Sequence, residues 1–194
     1  MNFLRTFGWF ACCFYASIPS FWLLIHPRVN AWRARILQRR PVYKVLVPLW
    51  VLMWFALFAL TFPIGRVLFY REPWTWIPAI LLFAAGIFLY LKGGHGFSPL
   101  QISGHHEVEP ERHAQKLVVT GIRRHVRHPI YLGHLCEMFA WSIGTGLLSC
   151  WVLTAFAIIT GIVMVRAEER ELVFRFGESY RDYQQRVPAI VPKF

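Results

Sequence analysis

Acidic side chains are scarce in this chain: ten Asp and Glu stand against 21 Lys and Arg in 194 residues, for a formal net charge of +11. Cysteine is also sparse. Cys12, Cys13, Cys136 and Cys150 lie within or at the edges of apolar stretches and lack the paired spacing of a metal or redox site. They read as small core residues. No stretch alternates at period two, which leaves no candidate strand. No internal repeat or low-complexity tract is present, so a single domain over 1–194 is expected, with 1–92 as a three-helix scaffold and 93–194 as the half that carries function.

What is abundant is apolar surface. Hydrophobic residues make up 56% of the chain and aromatic residues 17%, well above a soluble domain. They come in blocks separated by basic, proline-containing segments, as a bilayer selects. A spanning helix needs about 20 apolar residues, and five segments approach that length: 7–25, 45–64, 74–91, 130–147 and 150–165. Lipid permits only helices or closed barrels, so the expected fold is all-α, a polytopic bundle of about five transmembrane helices. The first block follows Met1 and Arg5 in the manner of a secretory signal. It is too long and aromatic for one, and no small-x-small site follows, so it too reads as a span. The last two blocks are joined only by Leu148-Ser149-Cys150, which predicts a tight helical hairpin.

In a soluble protein an excess of cations would point to nucleic acid. Here the cations lie between the apolar blocks. Segments 26–44, 92–129 and 166–194 share one side and hold 18 of the 21, leaving Arg5, Arg66 and Arg71 on the other. By the positive-inside rule the N-terminus lies outside and the C-terminus in the cytoplasm, in what is expected to be a bacterial inner membrane. The anionic partners are then lipid head groups, not nucleic acid, and no protein partner is implied. Trp74, Trp76, Tyr43 and Tyr70 fall where an aromatic belt is expected.

Two stretches on the cation-rich side are too polar to span. The first contains Gln115-Lys116-Leu117-Val118-Val119-Thr120-Gly121, then Arg123-Arg124-His125-Val126-Arg127-His128-Pro129-Ile130-Tyr131 at the start of the fourth span. Proline suits the first turn of a helix, because its missing N–H would be unpaired there anyway. His128 and Tyr131 are thereby held at a helix start, where backbone N–H groups and the dipole favour a carboxylate. The same run also reads as a basic membrane anchor. The second stretch is Arg166-Ala167-Glu168-Glu169-Arg170-Glu171-Leu172, then Phe174-Arg175-Phe176-Gly177-Glu178-Ser179-Tyr180-Arg181-Asp182-Tyr183, with Val187-Pro188 and Val191-Pro192 beyond. Carboxylates at a helix C-terminus oppose the dipole unless paired. They are either solvated or positioned for a positive ligand. Leu172, Phe176, Tyr180 and Tyr183 recur at helical spacing, which predicts an amphipathic C-terminal helix across the cytoplasmic mouth.

Taken together, Leu-Val-x-x-Gly, Arg-His-Pro-x-Tyr, the acidic run, Phe-Gly-x-x-Tyr-x-x-Tyr and Val-Pro, in that order around a helical hairpin, resemble the C-terminal half of the isoprenylcysteine carboxyl methyltransferase and phospholipid N-methyltransferase superfamily, over residues 113–192. The first 90 residues contribute only compatible topology. The resemblance implies S-adenosyl-L-methionine as cofactor. It implies cofactor contacts from Gln115, Lys116, Leu117 and Val118, from His128, Pro129, Ile130 and Tyr131, and from Glu168 as acceptor for the cofactor's ammonium. The charges agree, since that cofactor carries an ammonium, a sulfonium and a carboxylate.

Two positions depart from the pattern. The family's tyrosine two positions after the glycine is Arg123 here. Where the isoprenylcysteine enzymes have a substrate-associated arginine, four residues before the cofactor glutamate, this chain has Met164. Arg166 is displaced from that position by two residues, roughly 200° around a helix. Inside the fourth span lies Glu137, sharing a face with Tyr131, His134 and Trp141, and an intramembrane carboxylate by default suggests function. Its other reading is a protonated side chain bonded to a neighbouring helix. The candidate catalytic residues are Glu137 and His134, as bases for an amine acceptor, and Arg166, as a contact for an anionic head group. An amine-bearing phospholipid is the favoured acceptor and an isoprenylcysteine-like carboxylate the second. His95, His105, His106, His113, His125, His128 and His134 show no metal-ligand spacing, so no metal is expected. The rival class is a non-enzymatic membrane protein, either a transporter or a haem- or metal-holding subunit, which would show repeats, broken helices or a bound chromophore.

Overall fold

The computed structural model describes residues 2–28, 30–32, 34, 43–95 and 117–191. Six helices are named here: α1 (Asn2–Ile25), α2 (Tyr43–Thr61), α3 (Trp76–Gly93), α4 (Pro129–Thr145), α5 (Leu148–Phe176) and α6 (Glu178–Arg186). Among the described residues the only extended pairing is one isolated antiparallel bridge, Leu68 with Leu147. The expected all-helical bundle is what the chain forms.

Four helical stretches, Phe3–Arg28, Lys44–Ile64, Pro73–Gly93 and Leu148–Phe176, are long and apolar enough to cross a membrane. The protein is an integral membrane protein. The expected span at 130–147 is α4, a helix of 17 residues. At 1.5 Å per residue it reaches about 26 Å, slightly short of a hydrocarbon core. It is sheltered by its neighbours, packing along α3 and also against α1 and α5. Close approach of α3 and α4 depends on small residues. A Cβ added at Gly133 would lie 3.1 Å from the Tyr90 ring, and one at Gly93 3.0 Å from Pro129. Such contacts replace the hydrophobic effect as the cohesive term where the surroundings are already apolar. The outward faces bear the apolar groups, among them Leu60, Ile77, Leu81 and Leu91.

The hairpin between α4 and α5 is tighter than expected and displaced. Leu148-Ser149-Cys150 is the first turn of α5, and the bend is Gly146-Leu147. Gly146 has φ 65°, a left-handed cap that satisfies Ser142 O through its own N–H at 3.1 Å. The connection before α3 covers this bend. Phe69 N donates to Gly146 O and Leu148 N to Val67 O, both at 2.9 Å, while the Tyr70 hydroxyl donates to Ile143 O at 3.0 Å.

A second difference lies at the other end of α5. The helix does not stop near 165 but runs 29 residues to Phe176, so the acidic run sits on a continuous helix. It breaks at Gly177, whose φ of 59° and ψ of −136° suit glycine alone. The expected amphipathic C-terminal helix is therefore two pieces, the last turn of α5 and the nine-residue α6. Folded back at Gly177, they join Tyr180, Tyr183 and Val187 with Leu117, Leu172, Val173 and Phe176 in one apolar cluster.

Candidate cofactor mouth and membrane groove

The C-terminal segment is fastened to the start of α4 by main-chain hydrogen bonds. Arg127 N donates to Pro188 O and His128 N to Ala189 O, both at 2.9 Å, and the Tyr183 hydroxyl donates to Arg123 O at 2.6 Å. The Arg127 guanidinium donates to Gln184 O at 3.0 Å and also to Val187 O. Pro188, read at first only as part of a motif, thus supplies a carbonyl that holds the 121–128 loop.

Below this junction lie the three carboxylates of α5, which have different fates. Glu171 pairs with His26 at 2.9 Å, joining the end of α1 to α5, and with Arg175 one turn on. Glu169 accepts from Arg127 Nε at 2.7 Å, lies 3.1 Å from His128 Nε2, and accepts from Gln184 Nε2 at 3.1 Å. An ideal helix turns about 100° from Glu168 to Glu169, a spacing that by itself would face Glu169 elsewhere. The structure corrects this, because the loop before α4 folds over both glutamates and Glu169 becomes its central fastening. Among the described residues Glu168 is left without a hydrogen bond to its buried Oε2, and His128 Nδ1 is 3.6 Å away, beyond hydrogen-bond range.

A second buried polar atom in the same place lacks a partner. The Tyr180 hydroxyl makes no hydrogen bond among the described residues although Tyr180 is only 2% exposed. Burial, then the nearby Glu169 and Glu168, push its pKa well up, so the hydroxyl keeps its proton and remains a donor. Leaving such atoms unsatisfied costs about 1–3 kcal/mol each, which is a reason to expect a ligand. An acceptor and a donor left open at one mouth fit an amino-acid-like group bearing an ammonium and a carboxylate.

The other candidates divide into those in this mouth and those outside it. His128, at the N-cap of α4, and Tyr131 stack with ring centroids 5.6 Å apart and planes 19° apart. No side chain caps the start of α4. Leu117 belongs to the apolar cluster beneath α6 and Val118 is half-buried, whereas Gln115 and Lys116 lie outside the described residues. Pro129 and Ile130 pack on Gly93 at the end of α3. Arg123, standing where the resemblance would place a tyrosine, donates to Gly93 O and Arg127 O, each at 2.9 Å. Burial lowers its pKa, opposed by neighbours including Tyr183 and Glu168. Arg166 is exposed. It points away from Glu168, as its two-residue offset requires, and does not join the other candidates. Met164, one turn below Glu168, is buried.

Deeper along α4 the rings continue. His134 lies 6.1 Å from Tyr131, 5.3 Å from Tyr90 and 5.5 Å from Tyr15, centroid to centroid. Next on this face is Glu137, 7% exposed and bearing no hydrogen bond or ion pair among the described residues. It lines a groove of about 640 Å³ that runs along α1 past Phe7, Phe10 and Phe14 to Trp54 and Trp141. Glu137 is nine residues from His128, about 13 Å along the helix, and the rings of Tyr131 and His134 line the way from the mouth to the groove.

A family described as "Protein of unknown function (DUF1295)" matches residues 26–187. The chain belongs to the DUF1295 family. Relatives with assigned names match shorter regions. Methanethiol S-methyltransferase 1 of Bradyrhizobium diazoefficiens is 43% identical over 68 residues, covering 34% of this chain and 23% of the relative. Protein-S-isoprenylcysteine O-methyltransferase of Schizosaccharomyces pombe is 38% identical over 108 residues, 53% of this chain and 41% of the relative. Protein-S-isoprenylcysteine O-methyltransferase B of Arabidopsis thaliana is 36% identical over 91 residues, 44% of each. The matched regions thus span less than half the length of these relatives. No solved structure matches. These relatives agree with the superfamily resemblance carried by the Arg-His-Pro-x-Tyr and Phe-Gly-x-x-Tyr motifs.

Proposed function

We propose that this protein is an S-adenosyl-L-methionine-dependent methyltransferase acting on a lipophilic acceptor that arrives from the membrane. The observation that carries the proposal is the state of the α5 carboxylates. Glu169 and Glu171 are satisfied by the protein, while Glu168 Oε2 is buried with an open valence. When bound, the cofactor supplies an activated methyl group. Glu168 accepts hydrogen bonds from its ammonium, and the Tyr180 hydroxyl donates to its carboxylate. His128 and Tyr131 form one wall, with Leu117, Val118, Pro129 and Ile130 in the same cradle, and the resemblance assigns cofactor contacts to Gln115 and Lys116 as well. The C-terminal segment, bonded across Arg127 and His128, closes the mouth and excludes water. The chain's main contribution is alignment of donor and acceptor for in-line displacement.

The acceptor is an amine-bearing lipid, a class that includes phosphatidylethanolamine, in preference to an isoprenylcysteine-like carboxylate. Two residues support this. Met164 stands buried where a carboxylate-pairing cation would be needed, and Glu137 offers a buried carboxyl to an amine. Glu137 or His134 takes the proton that the amine must lose. Residues 1–92 act as scaffold and 93–194 as the catalytic half, with α1 contributing Tyr15 beside His134. The mouth faces the cytoplasm of a bacterial inner membrane. Incubation of the purified protein with methyl-labelled cofactor and a lipid extract should label a lipid amine. Absence of saturable cofactor binding by calorimetry, together with no labelled lipid, would overturn the proposal.

A further inference from the structure

The groove beside α1 differs from an ordinary lipid-facing furrow. Its lining is almost wholly aromatic and aliphatic, and it contains one ionisable acid and no Lys or Arg among the described residues. Phe7 and Phe14 are exposed along its rim, 52% and 37%, so it opens toward the bilayer. Glu137, at the end nearer the mouth, is 7% exposed and unpaired. A carboxyl buried at this depth is costly unless something pairs with it. Room for it is made by Gly86, where an added Cβ would fall 2.8 Å from Oε1.

We propose that this groove binds a single-chain hydrophobic amine, with the nitrogen on Glu137 and the hydrocarbon lying along Phe7, Phe10 and Phe14 toward the far end of α1. The inference rests on the amine acceptor proposed above and narrows it. An ammonium on a carboxylate, or a neutral amine on a carboxylic acid, is one complex differing only in the position of a proton. Either satisfies both partners within an apolar wall. A phosphodiester next to the amine would bring an anion into the same space as Glu137, with no cation lining the groove to compensate. Amines attached directly to a hydrocarbon therefore fit, and those attached through phosphate fit poorly. The groove of about 640 Å³ has room for an alkyl chain, and beyond the carboxyl its polar side chains are the uncharged Thr6, Tyr15, Trp54 and Trp141.

The test is binding without turnover. Brominated dodecylamine is titrated into the full chain in phosphatidylcholine nanodiscs, and quenching by the bromine reports proximity to Trp54 and Trp141. Saturable quenching is expected, weakened about ten-fold or more in Glu137→Gln, the scale of a charge-assisted hydrogen bond. The matching brominated alcohol should not distinguish wild type from Glu137→Gln. Ala11→Phe, which fills the groove from α1 and leaves the carboxyl in place, should abolish the saturable signal. Equal amine affinity in wild type and Glu137→Gln would overturn the proposal, as would competition by lysophosphatidylethanolamine as strong as by dodecylamine. Amine binding dependent on Glu137, with no methylated product in a parallel labelling reaction, would uphold the groove and remove the proposed transfer. Labelled lipid indifferent to both Glu137→Gln and Ala11→Phe would uphold the transfer and remove the groove.

Discussion

The carboxyl of Glu137 occupies the space that a side chain at Gly86 would need, with Oε1 2.8 Å and Cγ 3.1 Å from an ideal Cβ there. A methyl at Gly86 meets the end of a flexible side chain, so the bundle should adapt at about 1 kcal/mol while the carboxyl shifts. At Gly133 the same methyl meets the Tyr90 ring at 3.1 Å and the Gly86 carbonyl oxygen at 3.3 Å, neither of which moves easily. Thermal unfolding in detergent should place Gly133→Ala about 1–3 kcal/mol below wild type, with Gly86→Ala between. Amine binding should suffer more in Gly86→Ala than its modest loss of stability suggests. A Gly86→Ala protein less stable than Gly133→Ala would contradict this packing.

Adjacent glutamates should give opposite phenotypes. Glu168→Gln removes a carboxylate whose buried Oε2 accepts no hydrogen bond among the described residues, so stability should hold or improve while cofactor binding weakens by about 1.5–3 kcal/mol. Glu169→Gln breaks the junction with Arg127, His128 and Gln184 and should destabilise the fold by about 3 kcal/mol. Calorimetric binding and thermal melts on both variants separate the roles. Loss of stability in Glu168→Gln would show that the carboxylate is structural.

Tyr180→Phe deletes a buried hydroxyl with no hydrogen-bond partner among the described residues. Removing an unsatisfied group is neutral or stabilising for the fold, whereas losing a ligand bond costs about 1 kcal/mol. The expected signature is an unchanged or raised melting temperature with roughly five-fold weaker cofactor binding. Unchanged affinity would exclude the hydroxyl from the cofactor site.

Gly177 permits the turn between α5 and α6 with φ 59° and ψ −136°, and an added Cβ would meet nothing within 4 Å. Gly177→Ala should therefore act through backbone strain alone, at about 1–3 kcal/mol. The C-terminal segment should undock, visible as faster proteolysis beyond residue 177 while the membrane helices stay protected. Unaltered cleavage would mean that α6 docks independently of this turn.

Orientation is tested by reporter fusions. Placed after residue 70 and at the C-terminus they should report opposite sides of the membrane, with the C-terminus inside, as the division of cations requires. Reports from the same side would separate the mouth from the cation-rich face.

Composition and blockwise hydropathy made the bundle legible, because the bilayer imposes a length and polarity rule on every span. The boundaries were less so. Gly146 and Gly177 are ordinary glycines in sequence, and only the surrounding contacts show that one caps α4 and the other reverses the chain. In the candidate site, Glu168 is singled out by the resemblance, through its place ahead of the Phe176-Gly177 motif. The separation of roles between Glu168 and Glu169 was not legible, since a helix turns about 100° per residue and the fold of the 121–128 loop brings both into reach. Tyr180 and the Pro188 carbonyl were hidden for the same reason. The Pro188 carbonyl matters through Arg127 N, about 60 residues away, and the Tyr180 hydroxyl through its burial against α5, neither of which a local period encodes.

Because α5 is unbroken from Leu148 to Phe176, the glutamates at its far end keep fixed phase with Leu153, Thr154 and Ala157 in the buried core. One inserted residue between them would turn the mouth by about 100° relative to the core, and only steps near whole turns, such as about seven or about eleven residues, would restore the phase. The helix behaves as a screw thread shared by two otherwise separate machines. Length variation on this thread is quantised, and the glycine turns at Gly146 and Gly177 hold its two ends.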